Sequence, residues 1–316
     1  MNHIKDHTRF LVPILGAALI LCLNACKNKA KENAGKNIDT TQTTPDRGTI
    51  HISVDETFRP VIDQEIQMYQ LTYPNTRIIA DYKPEVECFK DFQDDQTRLI
   101  IVARGLDSTE SGFYKARIGS NPRFEVIAFD AVAVLVNKHS PDSVFTYVQL
   151  QNILTGATKG KPAVMDGSKA TSTVRYLMDS ILKGKAFGPD VSSPGNTKGV
   201  LDAVANNVDA IGFIGYSWFA SIQDSTNPYY DGKLKTALVE CRICPSGTYA
   251  RPSQATITDM QYPLFRPVVP IIKEHGPTLA TGFYNFIQSE RGQLIFRRAM
   301  LMPAVMAFNI REVRLN

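Results

Sequence analysis

Strand-like and helix-like runs alternate along most of this chain, and this alternation restricts its fold more than any other feature of the sequence. Residues 57–73 place apolar side chains at helical spacing, whereas residues 99–103 form a continuous apolar run of strand length. Further pairs of this kind follow, and one or two helices are predicted at residues 277–300. Such alternation predicts an α/β fold with right-handed crossovers between strands.

The other elements are predicted from the same patterns and from cap and turn residues. Strands are predicted at 49–53, 77–81, 124–129, 131–137, 163–165, 210–214, 234–240 and 265–272, and helices after Pro84 and at 146–154, 172–183 and 196–205. A further helix is predicted with Asp107 or Ser108 as its N-terminal cap and Glu110 in its first turn. The folded part, from about residue 49 onward, is long enough to bury a large core, and two domains are expected.

The first residues have the layout of a secretory signal. Lys5 and Arg9 precede an apolar run at 10–23, which is shorter than the roughly 20 apolar residues of a membrane-spanning helix. The segment Leu-Asn-Ala-Cys at 23–26 resembles a bacterial lipoprotein signal, which implies cleavage before Cys26 and its acylation. We expect residues 1–25 to be a signal peptide and the protein to lie in the periplasm or cell envelope, anchored by lipid. The alternative is an ordinary signal peptide with an incidental cysteine.

The segment that follows is polar. Residues 26–48 contain Ile38 as their only large apolar residue, so they cannot bury enough surface to offset the entropy of ordering and should form a disordered tether. Cys88, Cys241 and Cys244 would remain in an oxidising compartment. We expect one structural disulfide and one free thiol among them, and the spacing leaves the pairing open.

Three junctions between a strand and a helix carry the candidate ligand residues. They are residues 53–58, Arg104 directly after the strand 99–103, and the hydroxyl-rich loop at 171–173. Ligands of open α/β sheets bind beyond the carboxyl ends of the strands, where backbone N–H groups, hydroxyls and a guanidinium can hold an anion. The ordinary alternative is that these residues are helix caps and a surface charge.

Several stretches, taken in order, resemble the phosphate-binding proteins of bacterial ABC importers. Residues 130–137 and 146–156 are similar to the hinge strand and following helix of that family, and Thr171-Ser172-Thr173 falls at its Ser-Gly-Thr loop. The later matches are Asn206–Ser217 (NNVDAIGFIGYS), Tyr262–Pro267 (YPLFRP), and Phe286, Gly292, Gln293 and Pro303 near the end of the chain. The resemblance covers nearly the whole folded body.

The resemblance implies a periplasmic-binding-protein fold of type II, with two α/β lobes joined by two crossing hinge strands. Lobe 1 would comprise residues 49–135 and 245–316, and lobe 2 residues 136–244. It further implies a monomer that captures inorganic phosphate between the lobes, without a cofactor, and delivers it to an ABC transporter permease. Together with the three junctions, this gives the expected phosphate-binding residues: Asp55, Glu56, Thr57, Phe58, Arg104, Thr171, Ser172 and Thr173.

The chain departs from the family pattern at these positions. The loop at 171–173 lacks the glycine but keeps hydroxyls, and Arg104 stands where many members have an aspartate that accepts the phosphate proton. Asp55 or Glu56 is therefore expected to take over as acceptor, with Asp107 next in line. The alternatives are another oxyanion, namely sulfate, molybdate or tungstate, or a lipoprotein that uses the fold for sensing or adhesion.

Enzymatic and nucleic-acid functions have little support in the sequence. The histidines beyond the signal, His51, His139 and His275, occur in unrelated contexts, and no G-x-S-x-G or H-E-x-x-H motif occurs. No second cysteine pair or histidine pair completes a zinc site around Cys241 and Cys244. The net charge of +4 is small, and basic residues do not cluster with aromatic residues, so no nucleic-acid partner is expected.

Overall fold

A computed structural model describes residues 43–167, 171–224, 230 and 232–305. The predicted signal peptide, most of the predicted tether and Cys26 lie outside the described residues. The described residues all belong to one compact unit. None of the helices in the described ranges is long and apolar enough to cross a membrane.

The first part of the chain alternates strands and helices as predicted. Its elements are β1 (Arg47–Asp55), a 3-10 turn (Glu56–Phe58), α1 (Arg59–Thr72), β2 (Asn75–Lys83), α2 (Glu85–Asp91), β3 (Thr97–Val102), α3 (Ser108–Ile118) and β4 (Arg123–Phe124). Asp107 caps α3 in a capping box with Glu110, which decides between the two predicted caps. The predicted helix 57–73 starts later, because Pro60 occupies the first turn of α1 and a 3-10 turn precedes it.

The middle and final parts follow the same pattern. The middle elements are β5 (Ala128–Asn137), β6 (Val144–Phe145), α4 (Tyr147–Leu154), β7 (Ala163–Met165), α5 (Ser172–Leu177) with a π turn (Met178–Leu182), β8 (Val191–Ser192), α6 (Thr197–Asn206), β9 (Ile211–Gly215), α7 (Tyr216–Asp224), β10 (Leu234–Thr236), β11 (Leu238–Glu240) and β12 (Tyr249–Ala250). The last elements are α8 (Gln254–Thr258), β13 (Phe265–Ile272), α9 (Leu279–Gln288), α10 (Glu290–Arg298) and β14 (Met302–Pro303).

Three predicted strands have different bounds in the structure. The runs predicted at 124–129 and 131–137 are largely one strand, β5, because Asp130 between them is buried and paired rather than exposed in a turn. The run predicted at 234–240 is divided into β10 and β11, which pair with different strands.

The main sheet places its strands in the order β2-β1-β3-β13-β5-β9-β7-β8. β1 pairs with β2 and β3 in parallel, whereas β13 pairs antiparallel with both β3 and β5. The long strands β5 and β13 therefore join the two ends of the sheet. This confirms the mixed α/β fold with two connecting strands.

The hydrophobic core has two parts, which meet along β5 and β13. The first core packs β1, β2 and β3 against α1, α2, α3, α9 and α10, and includes Ala128 and Val268. The second core packs β7 and β9 against α4, α5 and α6, and includes Ala131 and Leu264. We call the junction between the elements of these two cores the cleft. The predicted lobe boundaries at 135 and 245 stay predictions.

The cysteines follow the predicted arrangement. Cys241 and Cys244 form a disulfide three residues apart, in the segment that connects β11 and β12. Cys88 is a free, buried thiol on α2, within the first core. The expectation of one disulfide and one free thiol is confirmed.

Candidate functional site

Asp55 and Thr57 lie on the first-core side of the cleft, where β1 ends. Asp55 caps the 3-10 turn, and its Oδ1 accepts hydrogen bonds from the Thr57 backbone N–H at 3.0 Å and from Thr57 Oγ1 at 2.7 Å. Both side chains are buried, with 0% and 1% of their surface exposed. The second oxygen, Asp55 Oδ2, is buried and has no hydrogen-bond partner among the described residues. Burial raises the pKa of Asp55; Arg266 and the nearby Ser172 hydroxyl oppose this shift, whereas the carboxyl of Glu85 adds to it.

The hydroxyl loop lies on the second-core side, where α5 begins. Thr171 caps α5 and accepts a hydrogen bond from the Val174 N–H at 3.2 Å. Thr171 Oγ1 and Thr173 Oγ1 donate to the two oxygens of Asp166 at 2.8 Å and 3.0 Å. Burial, and then the nearby Asp55 carboxyl, raise the pKa of Asp166 to about 7.

Arg266 lies between these two sides, on β13. Its Nε and Nη2 donate to Asp130 Oδ2 at 3.3 Å and 3.1 Å, and Asp130 is its directly opposite residue on β5. Its Nη1 donates to Ser172 Oγ at 2.9 Å and to Thr173 Oγ1 at 3.2 Å. Arg266 and Asp130 are 1% and 0% exposed. A guanidinium at this depth requires such partners, because an unpaired buried charge is strongly destabilising.

The two sides meet directly. Thr57 Oγ1 and Ser172 Oγ are 3.4 Å apart, and Ser217 Oγ donates to the Thr57 carbonyl at 3.3 Å. We call the buried set that results the polar centre; it comprises Asp55, Thr57, Asp130, Asp166, Ser172, Thr173 and Arg266. It holds three carboxyl groups and one guanidinium. If all four groups were ionised, the polar centre would carry a net negative charge.

Glu56 links the polar centre to a larger cavity in the cleft. Its Oε2 accepts from Thr197 Oγ1 at 2.8 Å, and Trp218 Nε1 donates to its carbonyl at 3.3 Å, so Glu56 contacts two elements of the second core. Burial raises its pKa, and the Thr197 hydroxyl lowers it. The cavity has a volume of about 940 Å³ and is lined by Glu56, Asp166 and Thr171 together with Lys83 and Trp218. Of the polar centre, Asp166 lines this cavity.

The structure brings together most of the predicted site residues, but Arg104 lies apart from them. Its guanidinium donates to both oxygens of Glu110 at 2.7 Å and 2.8 Å, and it lies 3.9 Å from the centre of the Phe89 ring. Asp107 is engaged as the cap of α3. Phe58 is fully buried, with its ring 5.3 Å from the Arg266 guanidinium.

Sequence reasoning missed Arg266, Asp130 and Asp166. A signal for the first two was present, because each is a charged residue inside an apolar strand run, and the charges are opposite. Buried charges of this kind are paired, so two such strands are expected to be neighbours that place the charges side by side. Asp166 directly follows β7, where ligand residues of α/β sheets are found.

Comparisons with known proteins agree on the type of fold. A family model described as a PBP superfamily domain matches residues 39–291. The protein SphX of Synechococcus elongatus is 25% identical over 186 residues, which cover 53% of this chain and 52% of that protein. The phosphate-binding protein PstS of Pseudomonas aeruginosa is 23% identical over 171 residues, or 48% of this chain and 53% of that one. The chain thus spans about half the length of these curated relatives.

Solved structures resemble a larger part of the chain. A substrate-binding protein with bound phosphate from Clostridium perfringens covers 82% of this chain and 100% of its own length, with a TM-score of 0.66 and 19% identity. An ABC-type phosphate transport receptor from Vibrio cholerae covers 81% of this chain and 100% of its own length, with a TM-score of 0.59 and 17% identity. At these identities the likeness establishes a shared fold.

Proposed function

The chain belongs to the PBP superfamily, and from this premise we propose that it is an extracytoplasmic solute-binding protein that captures inorganic phosphate in the cleft. It acts as a monomer and delivers phosphate to the permease of an ABC transporter. The names of its relatives and structural neighbours support this choice of ligand. The chemistry of the polar centre supports it independently.

The observation that carries the proposal is the unpaired oxygen of Asp55 inside a cluster of donors. Hydrogen phosphate keeps a proton at neutral pH and can donate it in a hydrogen bond, whereas sulfate is fully ionised and cannot. Asp55 Oδ2 is a buried acceptor without a described partner, beside the hydroxyls of Thr57 and Ser172. In its ionised form, which the nearby Arg266 favours, Asp55 accepts from hydrogen phosphate and repels sulfate, which selects between two anions of similar shape.

The donors in this proposal come from both sides of the cleft and from a connecting strand. Thr57 contributes from the first-core side, and Thr171, Ser172 and Thr173 contribute from the second, with Arg266 between them. The hydroxyls of Thr57, Thr171 and Thr173 donate to Asp55 and Asp166, so phosphate must replace these carboxylates as the acceptor. Glu56 and Phe58 lie beside the proposed position, and a role for Arg104 stays a prediction.

Calorimetric titration of the purified protein with phosphate, sulfate and molybdate tests the proposal. We expect phosphate to bind and sulfate to bind far more weakly or not at all. The double variant Thr171→Val and Thr173→Val, which removes two donors, should weaken phosphate binding by roughly 30-fold or more, at about 1.4 kcal/mol per tenfold change in affinity. Preferred binding of sulfate or molybdate, or absence of anion binding, would contradict the proposal. Unchanged affinity in Arg104→Ala would remove that residue from the site.

Anchoring by lipid at Cys26 belongs to the same proposal. Two or more acyl chains hold a protein on a membrane stably, and a polar tether of residues 26–48 would keep the folded body close to the surface. Cys26→Ser should therefore leave an uncleaved precursor or a soluble protein, detected by detergent-phase partitioning. A serine variant that is processed normally and still partitions with the membrane would contradict the anchor.

A further inference from the structure

A second set of charged contacts crosses the cleft, outside the polar centre. Arg175 on α5 donates from Nε to Glu85 Oε2 at 2.6 Å and from Nη2 to Glu85 Oε1 at 3.1 Å. Glu85 lies in the first turn of α2, so the pair joins an element of the second core to one of the first. The Glu85 side chain is 2% exposed and that of Arg175 is 33% exposed.

Glu85 is held firmly on its own side of the cleft. The backbone N–H of Ala103, directly after β3, donates to Glu85 Oε1 at 3.0 Å, and Arg175 Nη2 also donates to the Ala103 carbonyl at 3.3 Å. The guanidinium thus contacts both α2 and the end of β3. A bidentate pair with a fixed carboxylate defines distance and orientation more strictly than a single charge contact.

The position of Arg175 connects this contact to the hydroxyl loop. Arg175 lies one helical turn after Thr171–Thr173, on the short helix that carries these hydroxyls. A contact that fixes α5 against the first core, such as that of Arg175 with Glu85, therefore also fixes the distance between Ser172 and Thr57. Opening of the cleft must break both hydrogen bonds to Glu85 and the bond to the Ala103 carbonyl.

We propose that Glu85 and Arg175 form a clamp that holds the cleft closed and sets the rate at which a captured ligand leaves. They are positioning residues, since neither belongs to the polar centre. Contacts that exist only in the closed form shift the equilibrium between open and closed forms and slow dissociation, with little effect on association. Whether the clamp holds the cleft closed can be measured without any ligand. Its effect on the release of phosphate rests on the proposed function.

The test uses Glu85→Gln, Arg175→Gln and the double variant in the full chain, with spin labels at two exposed positions, Glu87 and Lys185, on the two sides of the cleft. Without phosphate, we expect longer or broader label distances in each variant than in the parent protein. With phosphate, we expect dissociation to be roughly 3- to 30-fold faster and association nearly unchanged. The double variant should be no worse than either single variant, because each already removes the same interaction.

Glu274→Gln is the matched control. Arg98 on β3 and Glu274, in the loop between β13 and α9, form a 3.1 Å ion pair with side chains 22% and 15% exposed. This variant should leave label distances and phosphate release unchanged, which separates loss of the clamp from a general loss of stability. Arg175→Lys, which keeps the charge but not the bidentate geometry, should give an intermediate release rate.

The outcomes separate the two proposals. Label distances that stay unchanged in both single variants would overturn the clamp, as would equal effects of Glu274→Gln and Glu85→Gln. Longer distances together with no phosphate binding in any of the proteins would support the clamp and contradict phosphate capture.

Discussion

Buried acids occur in two contrasting regions of the molecule. In the polar centre, Asp130 pairs with Arg266, and Asp166 accepts from two hydroxyls. In the first core, Glu65 on α1 is 0% exposed, and neither of its carboxylate oxygens has a hydrogen-bond partner in the described ranges. Donors converge on the acids of the cleft from several elements, whereas α1 buries its acid among apolar side chains.

The difference shows in the proton affinities of these acids. Burial alone raises the pKa of Glu65 to about 10, so this residue is neutral at physiological pH. The pKa of Asp166 rises only to about 7, where small changes in its surroundings decide its charge. A buried acid without donors is a cost to stability, while a buried acid with donors can take part in binding.

The largest expected effect, on stability and on phosphate binding, comes from removing the guanidinium of Arg266 from the polar centre. Arg266→Met leaves Asp130 and its neighbours buried without a positive charge, which costs about 3–5 kcal/mol in the free energy of unfolding. Phosphate binding should be lost in the same variant. Urea unfolding and calorimetry check the two effects. A loss of stability below about 1 kcal/mol would contradict the role given to Arg266.

A double variant separates the contribution of Arg266 to protein stability from its contribution to phosphate binding. Arg266→Met with Asp130→Leu replaces the buried ion pair by apolar side chains, which is often neutral or stabilising. Stability should therefore recover in part, because Asp55 and Asp166 still lie buried without the guanidinium and the Tyr216 N–H loses its acceptor. Phosphate binding should not return, because the proposed site still lacks its guanidinium.

The sequence predicts the elements of this fold far better than it predicts the centre of the site. Strand–helix alternation and cap residues locate the loops of Asp55 and Thr171 correctly, since these signals are local. The pairing of Arg266 with Asp130 depends on two strands that are distant in the chain, so no local pattern contains it. Arg104 follows a strand, as predicted. Its side chain is held by two hydrogen bonds to Glu110, in the first turn of α3, and so does not join the polar centre.

An effect on the pH dependence of stability is expected through Asp166. Its folded-state pKa of about 7 lies above the ordinary value of 3.8, so the folded state binds the proton more tightly and loses stability as pH rises between these values. Asp166→Asn removes this loss. The stability of the variant relative to the parent should rise by up to about 1.4 kcal/mol per pH unit from pH 4 to 7, measured by urea unfolding.

The exposed Asp259 provides the control for this measurement. Asp259→Asn makes the same substitution on the surface, so a change in slope that occurs only in Asp166→Asn belongs to the buried carboxyl. Identical slopes for Asp166→Asn and the parent would show that Asp166 ionises as readily in the folded protein as in the unfolded chain.

In the first core, the corresponding test of a buried acid is Glu65→Leu, which should stabilise the protein. The variant removes a carboxyl that must stay protonated when folded, and it fills the same space with apolar atoms, so we expect a gain of about 1–3 kcal/mol at pH 7. The gain should increase from pH 5 to pH 8, because the unfolded parent ionises at Glu65 and the folded parent does not. Phosphate affinity should not change. A loss of stability would contradict this expectation and indicate that the Glu65 carboxyl makes a stabilising interaction in the folded protein.

The phosphate-to-sulfate affinity ratio of Asp55→Asn tests the central claim most directly. The amide replaces an acceptor by a donor at the unpaired position, so the variant should bind sulfate better and phosphate worse, with the ratio falling by about tenfold or more. Glu56→Gln is the companion variant, because Glu56 already accepts from Thr197, and it should keep the ratio near that of the parent. An unchanged ratio in Asp55→Asn, with or without a fall in Glu56→Gln, would contradict the claim that Asp55 selects phosphate by accepting its proton.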